Sequence, residues 1–233
     1  MTPVGRILMS LMDEAGSDLT LPELLCRSAK RELDAVAVGL AVMAPDSTSE
    51  LVAASDQSAH ELEVLQLTLG EGPCVEAFRT GRLVQLAELG AGEQRWPAYS
   101  AHLLERGVGA VFAFPLRIGG IRLGALDVYR TRAGALDDDD LSLALHFVDA
   151  AVVVLLHLQD PALRDTLGDR RLDDAVDGFT THPEVHQATG MVSVQAVVSL
   201  HDALLLLRAH AYVADRSIIE VARDVVARRI DFR

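Results

Sequence analysis

Ala110-Val111-Phe112-Ala113-Phe114-Pro115-Leu116-Arg117-Ile118, then Gly119-Gly120, then Ile121-Arg122-Leu123-Gly124-Ala125-Leu126-Asp127-Val128-Tyr129-Arg130 is the stretch that decides the fold. Two apolar runs meet at a glycine pair, and a two-residue glycine turn suits a β-hairpin. Upstream, Val36, Val38, Leu40 and Val42 alternate with the strand period, Glu50 to Ala54 returns as a second strand, and Leu83 to Leu86 is a short third one. Helical spacing separates these strands. Val4, Ile7, Leu8, Leu11 and Met12 make one stripe, and Thr20-Leu21-Pro22-Glu23 is a capping-box start. Residues 58–67, Cys74 to Arg79 and Trp96 to Arg106 read as further helices. Mixed strands and helices of this kind imply an α+β domain over residues 1–160.

Downstream of the hairpin, Asp137 to Asp140 precede a long helix whose Leu141, Ala144, Leu145, Val148, Val152, Leu155 and Leu156 share one side. Four aspartates invite a metal reading. Acidic residues at a helix start more simply satisfy free backbone N–H groups and the positive dipole end, and no calcium-loop spacing follows. No metal site is expected. Residues 161–182 are charged and read as a helical linker. Residues 183–233 then divide into helices of roughly 184–197, 199–214 and 217–230, with caps at Ser199 and Ser217. About fifty residues in three short helices form a marginal core, which docking on another surface would help.

Composition bounds the function. The chain has 233 residues and a net charge of −13, half of it hydrophobic and a quarter charged, which excludes a disordered protein. Aromatics are 4%, too few for a base-stacking platform. No apolar run reaches about 18 residues and the amino terminus lacks a signal-peptide pattern, so a cytoplasmic protein without membrane contact is expected. Two cysteines, Cys26 and Cys74, make no disulfide framework. The charge is uneven: residues 1–160 carry net −11, whereas residues 183–233 carry six basic and six acidic side chains. A polyanion is repelled by the first part and tolerated by the last, provided its arginines share a face.

Residues in the last segment carry a resemblance. Gln187-Ala188-Thr189-Gly190-Met191-Val192, Ser199-Leu200 with Ala203, Leu207-Arg208-Ala209-His210-Ala211, Arg216-Ser217 and Glu220-Val221-Ala222 resemble an ANTAR domain, the three-helix RNA-binding module of bacterial antiterminators. Upstream, Ala53-Ala54-Ser55-Asp56, Leu69-Gly70-Glu71-Gly72-Pro73-Cys74, Thr80-Gly81-Arg82, Arg95-Trp96-Pro97 and the hairpin itself resemble a GAF sensor domain. The resemblance implies a six-stranded antiparallel sheet with flanking helices, a helical stalk, a homodimer, and recognition of paired RNA stem-loops that prevents a terminator from forming. Thr189 stands where many members carry a basic residue, and Val197 where a glycine is frequent.

The physics of such a site selects the candidates. A stem-loop offers phosphates and a few unstacked bases. Ala188 and Gly190 would allow close backbone approach, although Gly190 equally suits a helix crossing. Arg208 would grip phosphate with its fork, and Arg216 with Ser217 starts a helix, a natural anion site, although Ser217 also fits as a plain cap. Arg223 and Arg228 complete the set with Thr189. In the sensor half, Cys74, Trp96, Tyr99, Phe112, Phe114 and Tyr129 would line a ligand pocket, with core packing as the plain alternative. The signal is a small molecule or a partner protein, and no cofactor is required.

Two rival classes remain. A redox enzyme of the sulfoxide-reductase kind needs more thiols than Cys26 and Cys74, and no nucleophile–base constellation is visible, so the chain is not expected to be an enzyme. A DNA-binding regulator is the other, since three short helices also build a helix-turn-helix. Asp215, Glu220 and Asp224 interspersed among the arginines disfavour it.

Overall fold

A computed structural model describes residues 1–14, 19–44, 49–89, 95–159 and 182–232. The hairpin is where the sequence places it. Strands β4 (Ala110–Ile118) and β5 (Ile121–Arg130) pair antiparallel about Gly119, which turns the chain at φ +57°. β1 (Ala37–Met43) pairs with β5, β2 (Ser49–Ala54) with β1, and β3 (Val84–Leu86) with β4. The sheet order is β2-β1-β5-β4-β3, antiparallel throughout. The described residues thus hold five strands, not the six that the resemblance implied.

Helices cover both faces. On one lie α1 (Pro3–Asp13), α2 (Leu21–Glu32) and α6 (Asp138–Gln159), packed on Val38, Leu40, Phe112, Phe114, Leu126 and Val128. On the other lie α3 (Gln57–Leu69), α4 (Pro73–Thr80) and α5 (Pro97–Glu105), packed on Ala37, Ala41, Met43, Val111, Ala113, Ala125 and Tyr129. Alternation along each strand produces the division, because successive side chains leave a strand on opposite faces. Local chemistry sets the helix starts. Thr20 and Glu23 close a capping box on α2, and Asp56 Oδ1 accepts the Ala59 N–H at 2.9 Å to start α3.

The aspartate run behaves as a helix start. Asp137 Oδ1 accepts the Asp140 N–H at 2.8 Å, and Asp140 pairs with buried Arg130 at 2.6 Å. Helix α6 also amends the expectation about apolar runs: Asp138–Leu158 is long and apolar enough by composition to cross a bilayer, with a mean hydropathy of 2.1. One side of it packs on α1, α2 and β4, while Leu145, Val153 and Leu156 remain 43–48% exposed.

The last segment is three helices, α7 (Pro183–Ala196), α8 (Leu200–Val213) and α9 (Ile218–Val226). They share a core of Val185, Ala188, Val192, Ala203, Leu204, Leu207, Ala211, Ile218, Val221, Ala222 and Val225. Leu67 of α3 belongs to the same cluster. The bundle therefore sits directly on the sensor half. The linker expected at 161–182 lies, apart from His182, outside the described residues.

Candidate functional site

The sheet face under α3 and α4 holds a polar cluster in an otherwise apolar interior. Asp127 and Tyr129 reach it from β5, Glu63 and Gln66 from α3, Cys74 from the start of α4 and Tyr99 from α5; all six are buried. Residues 63 and 66 are one helical turn apart and so share a face. Residues 127 and 129 share a strand face by the period of two. Gly39 on β1 lies beneath Glu63, where a side chain would collide with the carboxylate.

Hydrogen bonds tie the cluster together. Gln66 Nε2 donates to Asp127 Oδ2 at 2.6 Å and to Tyr129 Oη at 3.1 Å, while its Oε1 accepts the Cys74 N–H at 2.9 Å. Tyr129 Oη donates to Glu63 Oε1 at 2.8 Å and lies 2.9 Å from Tyr99 Oη. Cys74 Sγ sits 3.8 Å from Met43 Sδ. Asp127 Oδ1 has no hydrogen-bond partner. Burial, and then the neighbouring Asp127 charge, raise the Glu63 carboxyl well above its usual range. Burial pushes Asp127 up to about 7, against the hydrogen bonds from Gln66 and Tyr129. Burial raises the Cys74 thiol as well. The donors of this cluster are neutral side chains, and no basic residue among the described ones hydrogen-bonds either carboxylate.

The structure brings Cys74, Tyr99 and Tyr129 together in this buried cluster, with Trp96 at the rim, where the Arg95 guanidinium lies 4.6 Å from its ring. Phe112 and Phe114 are a correction. Both point into the opposite layer with α1, α2 and α6, because they are out of phase with Val111 and Ala113 on β4. Sequence reasoning missed Glu63, Gln66 and Asp127. The available signal was Asp127, a lone carboxylate between Leu126 and Val128 in a strand buried on both faces.

The second region is the junction of bundle and sensor. Arg208 Nε donates to Leu67 O at 3.1 Å, and its guanidinium lies over Gly70, the left-handed C-cap of α3 at φ +68°. Ile218 N–H donates to Thr68 Oγ1 at 3.2 Å, and His186 Nε2 meets Glu50 Oε1 at 2.7 Å. A groove of about 870 Å3 runs along this junction, lined by His60, His102, Arg106, His182, Arg216 and Arg223 among others. Arg216 pairs with Asp224 at 2.8 Å, and Arg223 with Glu184 at 3.0 Å. Ser217 closes a capping box with Glu220.

The expected RNA-contacting residues thus fall into separate places. Arg208, Arg216, Ser217 and Arg223 lie at the junction, whereas Gly190 and Arg228 line another groove, of about 560 Å3, on the bundle. Ala188 is a correction: it is fully buried in the bundle core and has no surface to offer. Thr189 donates its hydroxyl to Val185 O at 2.7 Å within α7.

Comparison with known proteins agrees with this architecture. A family model for the GAF domain matches residues 20–155, more than half of the chain. The chain belongs to the GAF domain family. No curated protein matches it. Among solved structures, the GAF domain of a phosphoenolpyruvate-protein phosphotransferase from Coxiella burnetii is 17% identical with a TM-score of 0.51, over 67% of this chain and 95% of that one. The GAF domain of the corresponding Acinetobacter protein is 11% identical (TM-score 0.49, 68% and 96% covered). A GAF domain/HD domain protein from Geobacter sulfurreducens is 20% identical (TM-score 0.47, 61% and 97%). At 17% identity the likeness to the Coxiella burnetii domain is one of fold. The polar cluster lies inside the GAF domain, and the bundle lies beyond its matched residues.

Proposed function

We propose that this GAF protein is a signal-responsive RNA-binding regulator, with the three-helix bundle as the RNA-binding part and the GAF domain as its control. The observation that carries this reading is the position of Arg208. In a segment with as many basic as acidic side chains, this cation is held against an acidic domain by the Leu67 carbonyl. Docking occupies the Nε–H and half-buries this guanidinium against the sensor, so docking competes with contact to a phosphate. Burial already lowers the Arg208 pKa, so the docked site is a poorer environment for the charge than an RNA backbone. A signal that weakens docking shifts the population toward a free bundle. The ANTAR-like residues of the segment supply the target class: paired stem-loops in nascent RNA, bound to antagonise termination. The protein acts in the cytoplasm as a homodimer, for which the exposed stripe of Leu145, Val153 and Leu156 on α6 offers a surface.

Two observations weigh against the rivals. Cys26 and Cys74 lie in clusters on opposite faces of the sheet, which disfavours a catalytic and resolving pair. Within α9 the one arginine, Arg223, stands between Glu220 and Asp224 and pairs with Glu184, an acidic setting that disfavours insertion into a DNA major groove; Arg216, paired with Asp224, has to leave that carboxylate before it holds an RNA phosphate.

The test compares binding of the full chain to a twin stem-loop RNA and to duplex DNA at matched salt, because salt alone moves either affinity steeply. Tighter binding to the RNA, weakened in Arg208→Ala and Arg216→Ala, is expected. Equal binding to duplex DNA, or RNA binding unchanged in both variants, would overturn the reading.

A further inference from the structure

We propose that the interior of the GAF domain binds one divalent cation of the zinc class through Cys74 Sγ, Glu63 and Asp127. This site is independent of the RNA-binding reading. One donor atom from each of the three residues lies within 4.8 Å of the other two. Zinc bonds of about 2.3 Å to sulfur and about 2.0–2.2 Å to oxygen place tetrahedral ligand atoms roughly 3.3–3.6 Å apart, a gap that small side-chain rotations close.

A second observation points to a ligand. Asp127 Oδ1 is fully buried and without a partner, although Asp127 Oδ2 accepts from Gln66 and lies 3.3 Å from Tyr129 Oη. Leaving such an oxygen bare is costly in a low-dielectric interior. The remaining groups are arranged as supports. Gln66 holds Asp127 from one side and the Cys74 backbone from the other; Tyr129 holds Glu63. Glycines at 39 and 72 leave the space that Glu63 and Gln66 occupy. Two buried carboxylates with neutral neighbours either hold protons or gain a counter-charge, and a cation supplies the second. The donor set selects the metal. A thiolate excludes magnesium and calcium, and two carboxylates disfavour monovalent copper, which leaves zinc and ions of similar character such as cobalt. On binding, the Cys74 thiol proton and the proton held by the carboxyl pair are released to solvent.

The experiment uses the full chain, stripped with a chelator under reducing conditions and titrated with Co2+. Expected is a thiolate-to-cobalt charge-transfer band in the near ultraviolet that saturates at one equivalent and is bleached by Zn2+. Cys26→Ser keeps the band; Cys74→Ser and Asp127→Asn lose it while retaining the far-ultraviolet circular dichroism of the fold. Gln66→Ala, which removes no candidate ligand but frees Asp127, Tyr129 and the Cys74 loop, weakens Zn2+ binding by about 10- to 100-fold. No band in the wild-type chain, or a band that survives in Cys74→Ser, overturns the proposal. Should Cys74→Ser fail to fold, the Cys26→Ser chain decides by the presence or absence of a saturating band, because Cys74 is then its one thiol.

Discussion

Arg208 donates its Nε–H to the carbonyl oxygen of Leu67 at 3.1 Å, joining two residues 141 positions apart. Leu67 lies in the last turn of α3, where carbonyl groups lack intrahelical partners and the helix dipole is negative. A guanidinium from the bundle therefore caps a sensor helix. The same helix carries Glu63 and Gln66 on its sheet side and Val64, Leu67 and Thr68 toward the bundle. A change in the polar cluster is thus one helix width from the docking surface.

Gly70→Ala and Arg208→Ala separate docking from RNA contact. A Cβ at Gly70 would lie 2.8 Å from the Arg208 guanidinium carbon, and the φ of +68° disfavours any side chain. Gly70→Ala is expected to displace Arg208 while leaving it intact, and so to raise RNA affinity about tenfold, or roughly 1.4 kcal/mol. Arg208→Ala is expected to lower it. Both variants should speed hydrogen exchange at the end of α3. Equal losses of RNA affinity in the two variants would mean that docking does not compete with RNA.

Gly190 and Val197 make opposite errors in helix chemistry. A Cβ at Gly190 would meet open space, so no helix crossing requires the glycine. Gly190→Ala should stabilise the bundle by about 1 kcal/mol, yet weaken RNA binding if the backbone approaches the ligand there. Val197 caps α7 in the left-handed region at φ +55°, costly for a β-branched residue. Val197→Gly should stabilise by about 1 kcal/mol. Chemical denaturation measures both, and a destabilised Val197→Gly would refute the strain.

Lys30, the one lysine of the chain, bonds Asp56 at 2.5 Å. Partial burial raises the Asp56 pKa, but the Lys30 hydrogen bond, the Ala59 N–H and the Lys30 charge outweigh it and hold the group below its ordinary 3.8. A carboxylate lowered in the folded state adds stability that is complete above its unfolded pKa and disappears as pH falls through the folded one. Asp56→Asn keeps a capping oxygen, so it should lose little at neutral pH as a cap and flatten the acid limb below about pH 4. Asp56→Ala should cost about 1 kcal/mol more through the lost cap. Thermal melts from pH 3 to 7 would show it; an unchanged acid limb in Asp56→Asn would exclude the pair as its source.

The α6 stripe tests the dimer. Leu145, Val153 and Leu156 follow one helix face and stay exposed. Leu145→Glu with Val153→Glu should convert a dimer into a monomer in sedimentation velocity while preserving the fold. A wild-type monomer at micromolar concentration would remove this surface from consideration.

The hairpin was legible because a glycine pair between apolar runs admits few alternatives, and β4 and β5 keep the bounds read from sequence. The capping boxes at Thr20 and Ser217 were legible for the same local reason. Which face Phe112 takes was not, since both faces of the sheet are covered and β4 is apolar from Ala110 to Leu116. The polar cluster was illegible because its members come from β5, α3, α4 and α5, and no spacing along the chain records that meeting.

What the amino-acid sequence determined alone is therefore local and periodic: the five strands, the helix starts, and the contrast between an acidic sensor and a balanced last segment. Tertiary packing decided that Glu63, Cys74 and Asp127 converge, and that Arg208 spends its charge on a sensor carbonyl. Short-range preferences act over a few residues, whereas burial and charge pairing depend on what the fold brings near, and those partners lie tens to more than a hundred positions away.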